Sequence, residues 1–266
     1  MNLLSLLRIG GYSMNLLTLT KENLEQEHIC CAIADKKNAV GIARKKEWLS
    51  NRFQDGLVFR KADVRGKVFI EYLPAENAWC PIDADGYMFI NCFWVAGRYQ
   101  HQGYGAELLD SCLLDSAGKK GIVIISSAKK RPYLSDKAYL LKKGFEVADT
   151  AAPYFELLVK RLQDDPTMPK FKDSVNSTAF NHNPGLTVQY TDQCPFVDYY
   201  VQRELDMIGE EFQIPIHRIK LESREQAQKS PAVFTTYSAF YNGEFLTHEI
   251  LSKVKFSKLW EKIKKV

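Results

Sequence analysis

The sequence predicts an α/β protein in two parts: a larger mixed sheet with flanking helices, then a smaller α/β domain. Three observations carry this. Strand-like and helix-like runs alternate from Gly56 to Leu162. Residues 164–185, DDPTMPKFKDSVNSTAFNHNPG, hold three prolines, many turn formers and little apolar periodicity, which marks a linker. Beyond it, Asn242-Gly243 separates two strand-like runs, the strongest short hairpin signal.

The elements follow in order. TKENLEQEHICCAI reads as a helix from Thr20, its first turns rich in Glu, and a second helix runs from about Val40 to Phe53. GLVFRKAD, KVFIEYLP and YMFINCFWV read as strands, separated by Arg65-Gly66 and Asp85-Gly86. A helix ending near Gly118, the buried-type strand GIVIISSA, the short helix SDKAYLLKKGF and a last strand PYFELLVKRL complete the first part. The second part reads β-α-β-α-β-β-α, from LTVQYTD to FSKLWEKIKK.

Composition bounds the function. The chain has 266 residues, 45% hydrophobic and 26% charged, with a net charge of +4. That is globular, and basic residues are too dispersed for a nucleic-acid footprint. The basic tail KVKFSKLWEKIKK reads as a solvated helix face. Six cysteines form no C-x-x-C pair and no zinc spacing, so no metal is expected and a reducing, cytoplasmic setting is. No run reaches the roughly 18 apolar residues of a membrane span. Residues 1–13 hold an apolar run broken by Ser5 and Arg8, and the text nearly restarts at Met14. They read as an extension outside the first domain.

The chemistry concentrates in GRYQHQGYGAELLDSCLL, Gly97 to Leu114. A P-loop would need Lys after its last glycine, where Ala106 stands; a dinucleotide fingerprint would need a small residue at Leu108. What remains is Gln100-x-x-Gly103-x-Gly105-Ala106 between a strand and a helix. Without Cβ atoms at Gly103 and Gly105 the main chain can approach a pyrophosphate, and the first N–H groups of the helix point at it.

Strand, Q-x-x-G-x-G-A, helix, strand and a short helix closed by Gly144-Phe145 together resemble the GNAT family of acetyl-CoA-dependent N-acetyltransferases. The elements that match are FINCFWV, QHQGYGAELL, GIVIISS and KKGFEV, and the match covers about residues 14–162. The resemblance implies that acetyl-CoA is the cosubstrate. The N–H groups from Gln102 through Tyr104 to Ala106 would hold its pyrophosphate, and Phe93, Trp94 and Val95 would pair with its pantetheine arm. His101, in this loop, would contact the coenzyme or solvent rather than act as a base. An amine, more plausibly a small molecule than a protein, would attack directly, with no protein nucleophile.

Two departures leave catalysis open. The family often places a general-acid tyrosine four residues before the Gly-Phe, where Leu140 stands; Tyr139 is beside it, Tyr133 is a second candidate, and packing is the other role for each. No Glu lies on YMFINCFWV. Glu71 and Glu76, on the neighbouring strand, are the candidate bases, with a structural role as the alternative. Asn91 could orient the substrate.

The second part, residues 186–266, has the order of a thioredoxin-like domain and resembles the YoaP-like domain attached to some GNAT proteins. Cys194-Pro195 falls at a strand-to-helix junction, where a helix N-terminus would acidify the thiol. Val197 replaces a second cysteine, which excludes dithiol exchange. The expected division is therefore 14–163 acetyltransferase, 164–185 linker and 186–266 appended domain. No nucleic-acid or membrane partner is expected, and a homodimer is compatible. The alternative class is a non-catalytic coenzyme A-binding or thiol-sensing module built on Cys194.

Overall fold

The computed structural model describes residues 15–33, 35–164, 167–176 and 184–264. The predicted extension at residues 1–13 lies outside them. The first part runs β1 (Leu16–Leu19), α1 (Ala39–Arg52), β2 (Val58–Ala62), β3 (Val68–Pro74), β4 (Ile82–Asp83), β5 (Met88–Val95), α2 (Tyr104–Asp115), β6 (Gly121–Ser127), α3 (Lys137–Lys142), β7 (Glu146–Ala151) and β8 (Phe155–Arg161). Seven of these strands form one sheet in the order β1-β2-β3-β5-β6-β8-β7. Every pairing in it is antiparallel except β5 with β6.

Alternation along the strands sorts side chains between two cores. On one face Phe69, Leu73, Phe89, Val123 and Leu157 pack against Trp48 and Leu49 of α1. On the other, Ile70, Tyr72, Ile90, Ile124 and Leu158 pack against Leu108 and Leu109 of α2 and Leu140 of α3.

The linker contributes β9 (Lys170–Phe171), and the second part contains β10 (Leu186–Tyr190), α4 (Val197–Tyr199), a π-helical turn Tyr200–Glu204, α5 (Leu205–Phe212), β11 (Ile216–Lys220), α6 (Arg224–Gln228), β12 (Tyr237–Tyr241), β13 (Glu244–Thr247) and α7 (Lys253–Ile263). Its sheet has the order β11-β10-β12-β13, with β10 and β11 parallel and β12 antiparallel to β10. Asn242 and Gly243 both take positive φ in the hairpin turn, as the Asn-Gly signal required.

Three expectations change. The helix expected from Thr20 is a run of turns, because Asn23 spends its side chain on the Thr20 N–H and the Thr18 carbonyl, and Cys30 and Ala32 take left-handed φ. The polar edge strand β7 intervenes before β8; its sequence, EVADTA, carries too little apolar alternation to announce it. The proline-rich stretch is partly built in, since β9 pairs with β4 of the first part.

The two parts share a core: Leu221, Ala227 and Val233 join the cluster beneath α1. Gly41 lets α1 meet the turn before α4, where a Cβ would overlap the Pro195 carbonyl. Arg44 pairs with Asp198 at 2.9 Å, Gln228 donates to the Ala78 carbonyl at 3.0 Å, and the Thr235 hydroxyl donates to the Trp79 carbonyl.

Candidate active site

Strands β5 and β6 are paired only at Met88↔Ile122, Phe89↔Val123 and Ile90↔Ile124, although β5 continues to Val95 and β6 to Ser127. Beyond Ile90 the sheet splays. A β-bulge sits at the apex: Glu71 faces Cys92 and Tyr72 faces Ile90, leaving Asn91 as the extra residue.

At the mouth of the splay, on the α2 face, lies the predicted cradle. Gln100 donates to the Val95 carbonyl at 3.2 Å and Gln102 to the Arg98 carbonyl at 2.7 Å, which lash the loop to the end of β5. His101 and Gly103 take φ of 62° and 88°, and no side chain caps α2. The Gly103 carbonyl accepts the N–H of Ala106 at 2.9 Å, so Ala106 turns its donor into the helix. Tyr104 packs edge-on against Tyr99. Trp94 is exposed, whereas Phe93 and Val95 pack on the α2 side.

Tyr139 faces this cradle, and Leu140 is fully buried in the core behind it. The Tyr139 ring packs against Phe93, centroids 5.9 Å apart, and a Cβ on Gly105 would lie 2.9 Å from its hydroxyl. That hydroxyl is buried with no hydrogen-bond partner. Burial, and secondarily the Asp110 charge, pushes its pKa up, so it holds its proton. An orphaned donor and two Cβ-free positions at one helix end fit a bound anion and its reacting group.

The opposite, α1 face carries Glu71. It is 1% exposed, accepts from Asn91 Nδ2 at 2.6 Å and pairs with Lys45 Nζ at 2.7 Å. Both oxygens are engaged, so Glu71 serves to orient Asn91. Glu76 lies on the turn after β3, at the closed end of the β5–β6 pairing, 3.5 Å from Lys119. Lys45 went unnoticed in the sequence, yet Gly41, Lys45, Trp48 and Leu49 form the buried stripe of α1, and a charge inside such a stripe was the available signal.

Cys194 is also corrected. Burial raises its thiol pKa, with Glu71 adding to the rise, and outweighs the Phe196 N–H and the Lys45 and Lys67 charges that lower it. Cys92 and Cys31 lie near enough to interact with it electrostatically and are raised for the same reason. Tyr133 lines the cavity on this face rather than the cradle, its pKa pushed up to about 12 by burial. That cavity, of about 40 Å³, lies between the domains, bounded by Asn91 and Phe93 of β5, Ile125 of β6 and Gln193, Phe234 and Thr235 of the second part. Among the described residues there is no metal-type cluster and no helix long and apolar enough to cross a membrane.

One wall of this region depends on pH. His248 is fully buried, with Nε2 donating to the Pro132 carbonyl at 2.8 Å and Nδ1 facing the Tyr154 hydroxyl at 2.7 Å. Since the carbonyl can only accept, Nε2 carries a hydrogen, and in the neutral ring that burial favours Nδ1 accepts from the Tyr154 hydroxyl. Burial holds its pKa below 6.5, with Arg131 and Lys255 also lowering it and Glu249 opposing. The unfolded state then binds more protons, so stability falls as pH drops below about 6.5. His248→Gln is expected to flatten that loss in melting temperatures recorded from pH 7.5 to 5; an unchanged slope would clear His248 of it.

A mixed sheet splayed at one parallel pair, with an uncapped glycine-flanked helix at the opening, is the layout of a GNAT acetyltransferase domain, here with a smaller α/β domain appended. Residues 215–258 match the YoaP-like family model. The chain is 46% identical over 243 residues, 91% of its length and 96% of the relative's, to a Bacillus subtilis (strain 168) protein named "Uncharacterized N-acetyltransferase YoaP". Similar solved structures include a GNAT acetyltransferase from Brucella melitensis in complex with acetyl-CoA (17% identity, 61% of this chain and 95% of that one, TM-score 0.38). Another is the PaiA N-acetyltransferase from Thermoplasma acidophilum in complex with coenzyme A (20%, 56% and 99%, TM-score 0.39). The chain belongs to the YoaP family of N-acetyltransferases.

Proposed function

We propose that this protein transfers the acetyl group of acetyl-CoA to the amine of a small molecule, within a domain spanning residues 14–163 that carries a YoaP-like domain at 186–266. The observation that carries this is the uncapped end of α2, with its glycines and the orphaned Tyr139 hydroxyl, opening onto the β5–β6 splay. Acetyl-CoA supplies the activated acyl group. The N–H groups of residues 102–105 receive the pyrophosphate, Ala106 being turned inward. The free edge of Phe93–Val95 offers main-chain pairing to the pantetheine arm. Tyr139 donates its proton to the leaving thiolate, a role its raised pKa suits. The amine reaches the splay from the α1 face, past Asn91 as held by Glu71.

The six cysteines are unpaired, in keeping with a cytoplasmic enzyme. A non-catalytic thiol sensor is disfavoured by the raised pKa of Cys194. Calorimetric binding of acetyl-CoA, together with coenzyme A release across an amine panel, tests the reading; an absence of coenzyme binding would end it. Tyr139→Phe is expected to lower kcat by about 100-fold while leaving the acetyl-CoA Kd within about twofold. A normal kcat would assign the thiolate's proton to another donor.

A further inference from the structure

The cavity on the α1 face is small and continuous with the β5–β6 splay, since Ile90 and Asn91 of β5 and Ile124 and Ile125 of β6 line it. It has a deep side and an open one. Trp79, Phe89 and Val233 are at most 6% exposed, whereas Trp94 and Tyr133 are 43% and 39% exposed. The lining mixes these rings with the polar groups of Asn91, Ser135, Gln193 and Thr236. Its volume is about 40 Å³. One water-sized group needs roughly 10–15 Å³ of such space, so the cavity takes a group of about three heavy atoms. An acetyl group is that size, two carbons and an oxygen, part apolar and part polar like the lining.

The wall facing the splay comes from the appended domain, through Gln193 and the segment 233–236. That segment is pinned at three points. The Thr235 hydroxyl donates to the Trp79 carbonyl, Ser238 Oγ donates to the Phe234 carbonyl at 2.8 Å, and the Phe234 ring meets the His248 ring edge-on, centroids 5.4 Å apart. Tyr133 is held from the same domain. It takes a left-handed φ of 66°, and the carbonyl of Pro132 before it accepts from His248 Nε2 at 2.8 Å. A close-packed wall fixed in this way cannot move aside for one more methylene without losing contacts elsewhere.

We propose that the YoaP-like domain sets the length of the acyl group this enzyme transfers: with the thioester in the splay, the acyl chain points into the cavity, and Phe234 stops it after two carbons. The inference rests on the acetyltransferase reading and deepens it, because it makes the appended domain part of the donor site. The open side, at Trp94 and Tyr133, is left for the amine.

The test is calorimetric titration of the full-length protein with coenzyme A, acetyl-CoA, propionyl-CoA and butyryl-CoA. Acetyl-CoA is expected to bind at least about tenfold tighter than butyryl-CoA, with propionyl-CoA between them. Phe234→Ala is expected to strengthen butyryl-CoA by about tenfold, and Phe234→Leu, which keeps more of the packing, by less. Coenzyme A carries no acyl group, so its affinity reports whether a variant keeps the cradle. Three thioesters within twofold of one another in the wild type overturn the inference, and that series stands whether or not a variant folds. Unchanged discrimination in both variants, with coenzyme A still bound within twofold of wild type, overturns it as well. Failure of the wild type to bind coenzyme A at all ends the acetyltransferase reading and this inference with it, whereas normal coenzyme A binding without discrimination by chain length overturns this inference alone.

Discussion

Gly105→Asp is expected to weaken acetyl-CoA binding by about 1,000-fold. Two causes act together. A Cβ at this position would sit 2.9 Å from the Tyr139 hydroxyl and 3.7 Å from the Phe93 ring, so the new side chain must turn toward the mouth of the cradle. There its charge would meet the pyrophosphate, and two like charges about 4 Å apart at an effective permittivity of about 20 repel by about 4 kcal/mol, which is roughly 1,000-fold in Kd. The fold provides its own control. Gly105 is in the first turn of α2, where a carboxylate stabilises the helix by about 0.3–1 kcal/mol, so the melting temperature should hold or rise. A variant with equal stability and wild-type affinity would take the end of α2 out of the coenzyme site.

Lys45→Met is expected to destabilise the protein by about 3–5 kcal/mol, because it strands the Glu71 carboxylate in the core. Lys45 and Glu71 are 3% and 1% exposed, and the pair ties α1 to β3 directly behind the Asn91 bulge. At roughly 2–4 °C per kcal/mol for a chain of this size, the melting temperature should drop by about 10 °C or more. Adding Glu71→Gln should recover most of the loss, since Gln can still accept from Asn91 and no buried charge remains without a partner. A single-variant cost below about 1 kcal/mol would mean that water reaches the pair.

Some of the architecture was legible because its causes are local. Strands β2, β3, β5 and β6 follow from runs of β-branched and aromatic residues between turn signals, and α2 follows from an apolar stripe after two glycines. The Asn242-Gly243 turn announced its hairpin through the positive φ it needs. The stretch from Thr20 failed because a helix-like composition was overruled by one side chain: Asn23 bonds its neighbouring backbone, and the chain then turns left-handed at Cys30 and Ala32. Strand β7 is polar and lies at the sheet edge, where no core demands alternation.

The sequence by itself determined the pattern on which the proposed coenzyme half of the site rests: Gly103 and Gly105 before a helix, with Gly144-Phe145 within some 40 residues, a pattern whose meaning is set by backbone conformation. The tertiary structure decided which of Tyr139 and Leu140 faces that cradle, because helix rotation is fixed by the core that Leu140 enters. It also decided the surroundings of the proposed acceptor side. Glu71 pairs with Lys45, Glu76 lies at the closed end of the β5–β6 pairing, and Gln193 of the second domain lines the same cavity as Asn91. These relations join residues dozens of positions apart, through register, burial and charge pairing that no local pattern encodes.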